Sequence, residues 1–357
     1  MKHSFISRIR RMIPAAFIIL LFLSGCGADT ASDQNGSTGS GDPISVSSFK
    51  LNTIVTLRIY DSTDSSLLDG ALSVCDQYEA LFSRTLETSE IYRLNHSDTY
   101  PVPVSEETAD LIRFSLDYCS LTDGAFDITI LPVAELWDFT SSEPAVPSSD
   151  EIKEALTHVG WEQVSLEEDA DGQFCVSLAD PEAGIDLGAV AKGYIADRIK
   201  EYLTQSGVES AMIDLGGNIL TVGGRPDQTP FVIGIQRPFA DRNELCATIE
   251  ITDWSVVSSG IYERCFTDPV TGEFYHHILN PSTGYSYQNN LIQVTILSKS
   301  SAVGDALSTS CFALGLDKGL DLINSLDDVY AIFITDDYQL HYSDRLTEQF
   351  TIREITE

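Results

Sequence analysis

The sequence predicts an α+β fold: two packed lobes in which largely antiparallel sheets carry flanking helices. Three observations predict it. Segments of helical period and short β-branched runs are mixed through residues 46–357. Many of the connections between β runs are hairpin-sized, which favours antiparallel pairing over strict βαβ alternation. No repeat of fixed period runs through the chain, so a solenoid or propeller is not indicated.

The elements follow in order. Residues 46–60, rich in Val, Ile and Thr, read as one long or two short strands. Residues 65–82 put Leu68, Ala71, Leu72, Cys75, Tyr78 and Phe82 on one helical face, after polar capping candidates at 62–64. Residues 105–121 repeat the pattern and stop at Asp123-Gly124. A third helix is predicted over 150–159, with Gly160 placed as a left-handed cap. Residues 164–178 suit a hairpin around Asp169-Ala170-Asp171-Gly172. A further helix covers 189–204 ahead of Gly207, and 210–257 holds short strands broken by Gly, Pro and Asn. A strand at 291–297, a helix at 302–314 and a strand at 329–335 complete the prediction.

The N-terminus carries an address. Lys2, Arg8, Arg10 and Arg11 precede an apolar run at 13–23 that is short for a membrane span and ordered like a secretory signal. It ends Leu23-Ser24-Gly25-Cys26, which resembles a bacterial lipobox, with Cys26 the residue acylated before cleavage. Two acyl chains anchor durably where one is marginal. The expected product is exported and lipid-anchored to the outer face of the bacterial cell membrane, or to a periplasmic membrane face. Residues 28–43 have almost no apolar content and form a flexible tether of roughly 20–25 Å mean span. The expected division is a signal peptide at 1–25, the lipidated cysteine and tether at 26–45, and one folded domain at 46–357.

Composition excludes some partners. Acidic residues outnumber basic ones 54 to 21, a net charge of -33, which repels nucleic acid and anionic headgroups alike. Membrane attachment must therefore come from lipid. The six cysteines beyond Cys26 (Cys75, Cys119, Cys175, Cys246, Cys265, Cys311) form no CxxC pair and no metal-ligand spacing. They allow 15 pairings, and several lie in apolar segments, which suits buried thiols at least as well as disulfides.

Three stretches carry chemistry. In Thr122-Asp123-Gly124-Ala125-Phe126-Asp127 a glycine flanked by acids permits close backbone approach to a ligand, or simply turns a helix into a strand. In 185–194 an acid, a glycine turn, a helix start and Lys192 lie close together, an arrangement suited to phosphate or carboxylate. Asp186 could equally cap the helix while Lys192 faces water. In the third stretch Asp305 and Thr309 stand four apart on one helical face and offer the hard oxygens that Mg²⁺ prefers. Their local alternative is a favoured helix-end charge and a hydroxyl bonded back to a carbonyl.

Read together, the motifs Asp-Gly-Ala-Phe-Asp (123–127), Asp-Leu-Gly-Ala-Val-Ala-Lys-Gly-Tyr (186–194), Leu-Gly-Gly-Asn (215–218), Ser-Ser-Gly-Ile-Tyr (258–262), His-Ile-Leu-Asn-Pro-Ser-Thr-Gly (277–284) and Asp-Ala-Leu-Ser-Thr (305–309) occur in one order. With Leu51-Asn52-Thr53 and residues 89–95, this series resembles the FAD:protein FMN transferases, the ApbE-type flavin transferases, over nearly all of 46–345. The resemblance implies a T-fold-related single catalytic domain that cleaves FAD, its substrate, and attaches FMN through a phosphoester to a Thr or Ser of an exported or membrane redox protein, releasing AMP. It implies Mg²⁺ held by Asp305, Thr309 and the backbone carbonyl of Ala189, so that Asp305 and Thr309 are the catalytic pair. It carries FAD contacts to Leu51, Ala125, Phe126, Asp127, Asp186, Lys192 and Leu279, with Lys192 on a phosphate. Thr85 stands where the family often has an aromatic ring, and a smaller residue there would admit water and favour hydrolysis. His277 suits a general base or a structural histidine in a tight turn. Two other functions compete: an FAD pyrophosphatase, and a non-catalytic flavin-binding lipoprotein that would have no use for metal ligands.

Overall fold

The computed structural model describes residues 42–355 except 142 and 242. The expected signal peptide, Cys26 and all but the last residues of the expected tether therefore lie outside the described residues.

The first stretch resolves into two strands. β1 (Ile44–Lys50) pairs antiparallel with β2 (Thr53–Ile59), and the two residues between them, Leu51 and Asn52, have φ of 54° and 55°. That is the turn geometry whose twist matches flanking strands. α1 (Ser66–Phe82) buries Leu68, Ala71, Cys75, Tyr78 and Phe82, the face the period predicts. α2 (Glu90–Asn95) is capped by the Ser89 hydroxyl, and after β3 (Val102–Pro103), α3 (Glu106–Leu121) is capped by that of Ser105. α4 (Leu131–Trp137) precedes α5 (Ser149–Leu156), which starts on a capping box between Ser148 and Glu151.

α5 stops four residues short of Gly160, so that glycine is not its cap. The chain tightens through His158 N–H to Ala155 O and Val159 N–H to Leu156 O. The Gly160 N–H then donates to Thr129 Oγ1 at 2.8 Å, a partner far away in sequence. The expected hairpin forms from β4 (Val164–Glu168) and β5 (Phe174–Leu178), and joins β3 in a three-stranded sheet. α6 (Ala191–Gln205) follows, ending before Gly207 at φ 85°.

The second half supplies most of the strands. They are β6 (Ala211–Leu215), β7 (Ile219–Val222), β8 (Phe231–Gln236), β9 (Leu245–Ile251), β10 (Ser255–Gly260), β11 (Cys265–Thr267), β12 (Phe274–His276) and β13 (Leu291–Ser298). α7 (Ser301–Leu314) and α8 (Leu316–Asn324) lead to β14 (Val329–Thr335), β15 (Leu340–Tyr342), α9 (Leu346–Gln349) and β16 (Ile352–Glu354). The main sheet has eight strands in the order β1-β2-β6-β7-β10-β13-β14-β15, and every neighbouring pair is antiparallel. β16-β9-β8 form a second layer and β11-β12 a separate hairpin.

Two large cores share the main sheet. The first packs α1, α2, α3 and α6 on Leu57, Ile59, Ile213 and Leu215. The second joins β8 and β9 to β13, β14 and α7. α7 belongs to both, sending Ala306 into the first core and Leu307, Cys311 and Phe312 into the second. A smaller cluster gathers Trp137, Ile152, Tyr275 and Leu279. These are the antiparallel sheets and flanking helices the sequence predicts. All six cysteines among the described residues are free thiols, three of them buried. No helix among the described residues is long and apolar enough to cross a membrane.

Candidate active site

The site is built where α6 meets the first turns of α7. Asp197 of α6 accepts from the Ser300 hydroxyl at 2.6 Å, Ser301 N–H at 2.8 Å and Ala302 N–H at 3.0 Å, and so satisfies donors at the start of α7 that have no acceptor within the helix. This places Asp305, only 5% exposed, beside α6. Its Oδ2 accepts from Gly193 N–H at 2.6 Å and its Oδ1 from the Asn218 amide at 3.0 Å. Gly193 is the third residue of α6, so its N–H is one of the donors that a helix start leaves without an acceptor in the helix. Here the carboxylate takes that donor, and the Ala189 carbonyl is not used in the ladder of α6. Burial pushes the Asp305 pKa up, while Lys192, Asn218 and Gly193 pull it back.

Thr309 follows one turn later on the same face and is half-buried, while its neighbours Ser308 and Ser310 are buried. Its hydroxyl lies 3.4 Å from Ser259 Oγ, which lies 2.7 Å from Ser308 Oγ. Ser308 in turn donates to the Asp305 carbonyl at 2.9 Å. No group of three or more His, Cys, Asp or Glu among the described residues could hold a metal ion. One carboxylate, one hydroxyl and one carbonyl nevertheless suit Mg²⁺, which keeps waters and takes substrate phosphate oxygens to complete its shell.

The expected flavin-nucleotide residues surround this centre unevenly. Ala125 sits in the turn after α3, where its carbonyl accepts from Tyr287 O–H at 2.8 Å. Phe126 is buried in the first core. The Asp127 carboxylate holds its own loop: Oδ1 accepts from Thr129 N–H and Oγ–H at 2.7 and 2.6 Å, and Oδ2 from Trp161 N–H at 3.1 Å. Asp186 caps Gly188 N–H at 2.8 Å and pairs with Arg84 Nε at 3.1 Å. Leu51 occupies the β1–β2 turn, its N–H on Glu79 Oε1 at 3.2 Å. Thr85 is exposed and bonds only within its loop, to Ser83. The Leu279 side chain is 8% exposed and packs in the third core, so only its backbone is left to meet a ligand.

His277 is oriented by a backbone carbonyl. Its N–H donates to Arg264 O at 3.1 Å and its Nδ1 stands 3.3 Å from the same oxygen. A carbonyl only accepts, so Nδ1 carries the proton and Nε2 keeps a lone pair. Burial, then the charge of Arg264, holds its pKa down to about 3; burial holds that of His276 to about 4. Unfolded, both protonate near 6.5, so below that pH the unfolded chain binds protons the folded one does not. Stability is therefore expected to fall as pH drops from 6.5 towards 5, before most carboxylates titrate. An NMR titration that finds either imidazole protonating above pH 6 would contradict this assignment.

Lys192 and Arg264 both act on His277, and neither forms an ion pair or side-chain hydrogen bond among the described residues. In a chain of net charge -33, two cations that both act on one imidazole would suit an anion. Sequence reasoning named Lys192 but missed Arg264, Arg84 and Tyr287, which lie in no motif. Asn218 and Ser259 do lie in motifs, yet their partners Asp305 and Ser308 are visible only in three dimensions.

The profile of the ApbE family matches residues 51–333. An FAD:protein FMN transferase of Klebsiella pneumoniae (strain 342) is 36% identical, covering 82% of this chain and 89% of that protein. One from Treponema pallidum (strain Nichols) is 31% identical over 85% of this chain and 87% of its own length. The crystal structure of the ApbE protein from Thermotoga maritima superposes with a TM-score of 0.77 at 32% identity, covering 86% of this chain and 99% of that one.

Proposed function

The chain belongs to the ApbE family, and on that premise we propose that it is an FAD:protein FMN transferase that requires Mg²⁺. The observation that carries the reading is that Asp305 and Thr309 share one face of α7 while Lys192 acts on both Asp305 and His277. A pyrophosphate needs that combination of hard oxygens for a cation and fixed positive charge for its own oxygens.

In the proposed reaction a Thr or Ser hydroxyl of the acceptor protein attacks the phosphorus on the FMN side. A new P–O bond forms, the bridging P–O bond breaks, and AMP leaves. Phosphoryl transfer depends on positioning and charge neutralisation more than on a protein nucleophile. Lys192 and Arg264 hold the pyrophosphate, and Nε2 of His277 takes the hydroxyl proton, a task its fixed tautomer leaves it free to do. Asp305, Thr309 and the Ala189 carbonyl would hold Mg²⁺, which when bound neutralises developing charge on the phosphate oxygens.

Two observations bear on the remaining choices. Thr85 presents no ring over the site, which favours some hydrolysis of FAD beside transfer. The lipobox at Cys26 supports an exported, lipid-anchored enzyme whose acceptors share its membrane face; the tether then sets the search radius.

One assay tests these claims. The detergent-solubilised chain is incubated with FAD, Mg²⁺ and a soluble FMN-acceptor domain, and covalent flavin fluorescence is read on a denaturing gel. Labelled acceptor is expected, with AMP released in slight excess over label and the excess matched by free FMN. FMN and AMP without label would replace transfer by hydrolysis, and intact FAD would leave only a binder. Cys26→Ala should label the soluble domain equally well and membrane-bound acceptors more slowly.

A further inference from the structure

We infer that Asn218 is a positioning residue for the metal-binding carboxylate, held in its one useful orientation by Ser301. The inference rests on the reading of Asp305 as a Mg²⁺ ligand, and its observations are geometric. Asn218 is 3% exposed, between β6 and β7. Its Nδ2 donates to Asp305 Oδ1 at 3.0 Å, and its Oδ1 accepts from the Ser301 hydroxyl at 2.7 Å. An ionised carboxylate can only accept, so the amide must present its nitrogen to Asp305 and its oxygen to Ser301. Flipping the amide would set oxygen against oxygen on one side.

Ser301 is itself fixed. It is the first residue of α7, fully buried, and its N–H is held by Asp197 at 2.8 Å. A continuous chain of hydrogen bonds therefore runs from Asp197 through Ser301 and Asn218 to Oδ1 of Asp305. Gly193 N–H holds Oδ2 from the other side. Between them the two donors fix the carboxylate plane, leaving one lone-pair direction on each oxygen for a cation. Partners of this kind orient metal ligands, and their loss weakens metal affinity about 10–100-fold.

The chain makes Asn218 a gain for binding rather than for packing alone. Each hydrogen bond of a buried amide contributes only modest net stability, and losing the amide leaves Asp305 Oδ1 and the Ser301 hydroxyl short of a partner. What Asn218 adds is direction: without it the Asp305 side chain is free to turn towards Lys192, whose charge already acts on it.

The test is Mn²⁺ binding to the full chain without FAD, followed by electron paramagnetic resonance, with thermal melting of the metal-free protein alongside. Asn218→Ala is expected to weaken Mn²⁺ binding at least tenfold and to raise the Mg²⁺ concentration for half-maximal transfer by a similar factor. FAD binding without metal should stay within twofold. Ser301→Ala should weaken Mn²⁺ binding less, and the double variant no more than Asn218→Ala, because both act along one chain. Additive losses, or Mn²⁺ affinity unchanged in both single variants, would overturn the inference. If Asn218→Ala does not fold, Ser301→Ala alone decides: unchanged affinity overturns it and weakened affinity supports it. Asp305→Ala separates the two levels of the claim. Should it bind Mn²⁺ like the unaltered chain, the metal reading itself fails, whatever Asn218 does.

Discussion

Asp305→Ala is expected to abolish FMN transfer, lowering kcat by about a thousandfold or more while metal-free FAD binding persists. The size follows from what the carboxylate does. It is the sole charged ligand in the proposed Mg²⁺ site, and a metal that neutralises charge on transferring phosphate oxygens supplies several kcal/mol; each ~1.4 kcal/mol is tenfold in rate. The fold should survive. The substitution leaves Gly193 N–H and the Asn218 amide without their acceptor, a cost of about 1–3 kcal/mol for each buried group, but it also relieves the burial of a charge. Asp305→Asn is the closer replacement, because it keeps the shape and one acceptor oxygen while removing the charge and setting an NH₂ against one of the two donors. Single-turnover release of AMP, measured across Mg²⁺ concentrations, checks both. Magnesium-dependent turnover within tenfold of the unaltered enzyme in Asp305→Ala would exclude the carboxylate from the site.

The same residues show what the sequence made legible. Asp305 and Thr309 stand out because four-residue spacing on a helix puts them on one face, a local rule that needs no partner. α1 was legible for the same reason: its apolar period survives unchanged into the structure. What failed to show was decided at long range. Gly160 looked like a helix cap, but Thr129, 31 residues away, claims its N–H. The stretch 46–60 did not reveal its break, since Leu51 and Asn52 carry no glycine and reach positive φ only because the strands on either side pair. The seven-residue α4 lacked enough turns to show a period. Within the site, the motif marks the Leu279 region, and that its side chain belongs to the cluster with Trp137 while only its backbone faces outward is visible in three dimensions alone. Arg264 was invisible because its meaning depends on Lys192 and His277, which no spacing in the chain joins to it.

Gly193→Ala is expected to destabilise the fold by about 2–3 kcal/mol and to weaken metal binding together. A methyl group on Gly193 would overlap the Ser301 carbonyl oxygen and stand 2.5 Å from its carbon and 2.7 Å from Ala302 N. These are backbone atoms, and Asp197 fixes them through its bonds to Ser300, Ser301 and Ala302. To accept the methyl, α6 and α7 must part by roughly an ångström in a close-packed interior. Parting them also stretches the 2.6 Å bond from Gly193 N–H to Asp305, so the carboxylate loses the donor that holds Oδ2. Helix propensity pulls the other way, because Ala gains about 1 kcal/mol over Gly inside a helix. The net sign therefore tests whether the close approach is real. Gly70→Ala in α1 is the control. Its methyl would overlap the Tyr202 hydroxyl, but that is the free end of a half-buried side chain that can swing aside. Urea unfolding followed by circular dichroism should rank Gly193→Ala well below Gly70→Ala, and Mn²⁺ titration should find only the former impaired. Equal stability for the two variants would mean that α6 and α7 have room to part, and that the donor to Oδ2 is dispensable.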